Sequence, residues 1–91
     1  MVGATLFGAV DPAQAISCGQ LQTAGNFCNE YVGQYQGGNV YRVEYNNPTH
    51  GEQETMTVVC HRRNVITWES QGTLTQSQAE WLAEEFCALP G

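Results

Sequence analysis

Two periodicities divide this chain. Apolar side chains recur at every second position through much of residues 40–69, and at three- and four-residue steps on either side. In residues 40–45 Tyr41, Val43 and Tyr45 face one way, and Val40, Arg42 and Glu44 the other. That alternation predicts a half-buried strand. Residues 55–61 form a second strand, with Met56, Val58 and Cys60 on one face. Residues 65–69 form a third, with Ile66 and Trp68 apolar. The segment Asn46-Asn47-Pro48-Thr49-His50-Gly51 is turn chemistry between the first two. In the second hairpin a two-residue loop at Arg63-Asn64 would set Cys60 opposite Thr67 and mix the faces. A three-residue loop at Arg62-Arg63-Asn64 sets Cys60 opposite Ile66 and Val58 opposite Trp68, with Asn64 in the left-handed position.

The flanking segments read as helices. At 100° per residue, Leu21, Ala24, Phe27, Cys28, Tyr31, Val32 and Tyr35 share an arc, so residues 20–35 predict an amphipathic helix. Ser17 would cap it, and Gly37-Gly38-Asn39 would stop it. Residues 76–88 predict a second helix. There Thr75 and Gln78 have capping-box spacing, Leu74 can staple onto Ala79, and Leu82, Ala83 and Phe86 continue the apolar face. The expected fold is therefore α+β. A three-stranded antiparallel meander carries an N-terminal and a C-terminal helix packed on one face, held by two disulfides.

The N-terminal residues change the picture by suggesting a compartment. Val2 to Val10 is an apolar run of nine, followed by Ala13-Gln14-Ala15, which resembles the core and cleavage site of a secretory signal. Residues 1–15 are thus expected to be a signal-peptide remnant or a disordered arm, and residues 16–91 a single small disulfide-linked domain. Cys18, Cys28, Cys60 and Cys87 make an even set, as an oxidising compartment favours. Cys28 on the first helix's apolar arc and Cys60 on the core face of the central strand would point at each other. That favours Cys28–Cys60 with Cys18–Cys87. A continuous helix would hold Cys18 and Cys28 about 15 Å apart, too far to bond.

Charge then narrows the partners. Nine acids against three arginines and no lysine give a net charge of −6, which disfavours nucleic acid and anionic membrane surfaces. The apolar run is far too short to be a transmembrane segment. No Cys-x-x-Cys is present, and the adjacent Cys60 and His61 would point to opposite faces of a strand, so neither a metal nor another cofactor is expected. His61, Glu44 and Arg42 share the outward face of the meander. As base, acid and cation they could serve a small secreted hydrolase of nuclease type. A one-sided sheet puts polar residues outward in any case. Trp81 lies off the apolar arc of the last helix and is a candidate contact residue. The favoured expectation is an exported accessory or binding domain without catalytic activity, such as an inhibitor. It would act in a periplasmic, lumenal or extracellular space on a protein or small ligand.

Overall fold

The computed structural model describes residues 16–90, so the expectations for residues 1–15 lie outside the described range. Five strands follow one another: β1 (Ile16–Leu21), β2 (Gly25–Tyr35), β3 (Gly38–Asn46), β4 (Gln53–His61) and β5 (Asn64–Ser70). One helix, α1 (Gln76–Ala88), closes the chain. All neighbours are antiparallel, and strand order in the sheet equals strand order in the chain. This corrects the expected three strands between two helices. The three predicted strands fall within β3, β4 and β5, and the C-terminal helix is present. The predicted N-terminal helix is instead a β-hairpin.

Residues 20–35 fold as strand for identifiable reasons. Gly25 has φ 72° and Gly33 has φ 147°, and neither value is helical. Gly25 closes a tight reversal over residues 22–24. Phe27, Asn29 and Tyr31 then pair with Tyr45, Val43 and Tyr41 on the helix-facing side of β3. The same side chains thus satisfy a period of two once a neighbouring strand is present. Val32 is the extra residue where the β2–β3 register shifts between Tyr31 and Gly33.

The disulfides change with the hairpin. Cys18 and Cys28 are opposed across β1 and β2, with Cα atoms 3.9 Å apart, and they bond to each other. Cys60 of β4 bonds Cys87 of α1, with Cα atoms 5.5 Å apart. The expected Cys28–Cys60 and Cys18–Cys87 pairing is therefore corrected. It rested on a helix separating Cys18 from Cys28. As a strand, Cys28 points to the face of the sheet away from the core, because Cys28 pairs with Glu44 while Phe27 pairs with Tyr45.

The second hairpin also departs from expectation. Its loop is the two residues Arg62 and Arg63, at φ 51° and 71°, with His61 opposite Asn64 and Cys60 opposite Val65. That loop alone would misalign the apolar faces. A register shift between Val59 and Cys60 absorbs one residue at Ile66 and restores Val58 opposite Trp68.

Helix α1 packs against β4 and β5 and also reaches β1, so the sheet curls around it. Thr75 caps the helix, and its capping box with Gln78 is complete. Tyr45, Met56, Val43 and Val58 are fully buried beneath it together with its own Leu82, each aliphatic side chain worth about 1.5–3 kcal/mol of apolar burial. Phe86 stacks edge-on against Phe27 at 5.7 Å and Tyr41 at 5.4 Å.

Two carboxylates fasten the loops. Glu54 accepts from Tyr45 Oη at 3.1 Å, Asn47 Nδ2 at 3.0 Å, Thr73 N at 3.0 Å and Thr73 Oγ1 at 2.7 Å. His50 Nε2 stands 3.2 Å away. Burial alone would raise the Glu54 carboxyl, but these bonds outweigh it and bring its pKa down to about 2. Burial, reinforced by the bond to Glu54 and its charge, pushes Tyr45 up to about 12. Glu85 accepts from Thr23 N at 2.9 Å, from Thr23 Oγ1 at 2.6 Å and from Gln22 N, tying α1 to the β1–β2 turn. Burial opposes its charge, yet the bonds hold its carboxyl below the ordinary value. Glu85 is thus a structural tie and not a solvated helix acid.

Candidate functional site

The helix is shorter than the sheet it covers. Past Cys87 the helix ends, Leu89 packs at the margin of the core, and Leu89 and Pro90 border the half of the inner face built from β2 and β3, which stays partly open. Between that face, β1, the β4–β5 turn and the end of α1 lies a groove of about 1030 Å³. Its floor is aromatic. Phe27 and Phe86 are buried, Tyr31 and Tyr41 are half-buried, and the two tyrosine rings meet edge-on at 5.8 Å. Asn29, Gln34 and Asn39 add side-chain amides. Such a mixture of apolar surface and a few polar groups is the usual composition of a ligand site.

Charge sets the groove apart from the rest of the surface. Among the described residues Arg62 and Arg63 line it, and no acidic side chain does. The chain carries nine acids and only three cations, so this distribution is strongly biased. The third cation, Arg42, is engaged by Glu30 on the opposite face of the sheet. Among the described residues neither Arg62 nor Arg63 forms an ion pair. Both hold a left-handed backbone conformation, in a turn type that Asn-Gly would fill without strain.

The residues singled out from sequence are placed differently. His61, Glu44 and Arg42 do share the open face of the sheet, but they do not converge. Arg42 pairs with Thr57, and His61 lies four residues further along β4, about 13 Å at the strand rise. Glu44 pairs with Thr55, which puts it about 20 Å from His61 by the same measure. Glu44 accepts from Gln53 Nε2 at 3.1 Å, and Arg42 is held by Glu30. Trp81 stands 53 % exposed on α1 and is not part of the groove. Among the described residues no three His, Cys, Asp or Glu side chains gather closely enough to hold a metal ion.

Sequence reading missed the groove because its floor was assigned to a helix. Tyr31 was placed on a helical arc that does not exist, so its meeting with Tyr41 was invisible. Arg62 and Arg63 did carry a signal: two of only three cations stand side by side in a turn. Comparison with protein-family models, with curated proteins and with solved structures returned no match.

Proposed function

We propose that this protein is a binding domain without catalytic activity, that it works in an oxidising compartment outside the cytoplasm, and that its binding site is the groove at the end of α1. The observation that carries this reading is the joint lining of the groove, among the described residues, by an aromatic floor and two arginines outside any ion pair, with no acid beside them. The two disulfides support the compartment. No helix among the described residues is long and apolar enough to cross a membrane. The hydrolase reading is disfavoured by the spread of His61, Glu44 and Arg42 along the sheet, since an acid and a base must reach one point.

The test is a screen of small polar and aromatic fragments against isotope-labelled protein, read by amide chemical shifts. Hits should gather at Asn29, Tyr31, Asn39, Tyr41, Arg62 and Arg63. Shifts scattered over the surface would refute the groove as a binding site. Purified protein incubated with RNA should leave it intact. Cleavage that is lost on His61→Ala would restore the hydrolase.

A further inference from the structure

Granting that the groove is a binding site, its chemistry specifies a ligand class. We propose that it takes an acidic oligosaccharide, with a sugar carboxylate held by Arg62 and Arg63 and pyranose rings lying on the Tyr31–Tyr41 floor.

The arginines define the charge of the ligand. Guanidinium groups bind carboxylates through paired, charge-assisted bonds, and their fork geometry selects planar anions. The remaining acids of the protein do not cancel this attraction. Among the described residues none lines the groove, and exposed charges outside it are weakened by salt at physiological ionic strength. The backbone at this turn supports a selected role. Two bulky residues are kept at positive φ, a kind of strain that clusters at ligand clamps.

The floor and rim define the rest. Half-buried tyrosine rings offer flat apolar surface with a polar edge. Asn29, Gln34 and Asn39 each present a donor and an acceptor on one side chain. Hydroxyls along a sugar ring also both donate and accept, so they can satisfy such amides pairwise. An acidic peptide matches the arginines alone. It brings flexible side chains in place of a stacking face; its backbone would pair with the free edge of β1, which borders the groove and leaves the tyrosine floor unused.

The experiment titrates three probes into the full-length protein: tetragalacturonate, a neutral galactose tetramer and tetraglutamate. Calorimetry gives affinity and amide shifts give the site. Tetragalacturonate should bind in the groove at least tenfold more tightly than either control. Arg62→Asn combined with Arg63→Gly should weaken it at least tenfold. That variant places in the turn the residues the turn prefers, so its thermal midpoint should hold or rise, and lost binding cannot be ascribed to lost folding. Tyr41→Ala should weaken tetragalacturonate and leave the weak binding of tetraglutamate unchanged. The inference is overturned if tetraglutamate binds as tightly, if the neutral sugar does, or if the arginine replacements leave affinity unaltered. Should fragments gather in the groove while tetragalacturonate does not bind, the saccharide is wrong and the groove remains a site. Should neither perturb the groove, both readings fall.

Discussion

Replacing Glu54 with Gln should destabilise the protein at neutral pH and become harmless in acid. The carboxylate accepts four hydrogen bonds, from Tyr45 on β3 and from Asn47 and Thr73 on two loops, and Glu54 is only 9 % exposed at its side chain. A carboxyl moved from its ordinary 4.5 to about 2 prefers the charged state in the folded protein by roughly 3 kcal/mol. Discounting for screening at its solvent-facing edge leaves about 2 kcal/mol. The folded value lies below the unfolded one. The contribution is therefore complete above about 4.5 and is lost as pH falls toward about 2. Glu85 titrates in the same direction, but it does so in both proteins, and the difference between them isolates Glu54. Urea unfolding followed by circular dichroism at pH 7, 5 and 3 would measure it. Wild type and Glu54→Gln should differ by about 2 kcal/mol at pH 7, and the gap should narrow by pH 3. A difference below about 0.5 kcal/mol at pH 7, or one that stays constant into acid, would show that the carboxylate does not anchor these loops.

Other outcomes can be checked as directly. Trypsin cuts this chain only after Arg42, Arg62 and Arg63, so non-reducing digestion should leave Cys18 and Cys28 within one peptide and join residues 43–62 to residues 64–91; a single species linking all three Cys-bearing peptides would refute the pairing. Replacing Cys60 and Cys87 by Ala together should cost about 3.5 kcal/mol in the chain-entropy picture, and replacing Cys18 and Cys28 slightly less, as urea midpoints would report. Trp81→Ala should cost under about 1 kcal/mol of stability, because the side chain is half exposed. If Trp81 is a contact residue, the same change weakens self-association in sedimentation; a loss of several kcal/mol in folding would place Trp81 in the core instead.

What was legible in the sequence was whatever a single element decides by itself. The alternation of Tyr41, Val43 and Tyr45, and of Met56, Val58 and Cys60, reads as strand because each run has one consistent face. The last helix was legible because Thr75 and Gln78 mark its start and the apolar arc does not fit a period of two. Residues 20–35 fit both periods. Phe27 and Tyr31 are spaced by four, which satisfies a helix, and also by twos, which satisfies a strand up to the register shift at Val32. Only tertiary pairing with β3 decides between them, and glycines at 25 and 33 were the local evidence against a helix. The disulfide error followed from that one choice. The hairpin loop failed differently. A turn with both residues at positive φ is not what Arg-Arg suggests, and the compensating shift at Ile66 is set by the core face.

Because the sheet is laid down in chain order, every strand after the first finds a partner already synthesised. A chain threading out N-terminus first can add β1 to β5 one hairpin at a time, with no strand waiting for a distant one. Oxidation does not follow the same clock. The Cys18–Cys28 bridge spans 10 residues and can close within the first hairpin, whereas Cys60 waits 27 residues for Cys87. Once β5 has been added, and until α1 arrives, the sheet is complete but uncovered, and it carries one free thiol on its apolar face. The last turn of α1 therefore does two things at once, shielding the apolar face and removing the thiol that could capture another chain.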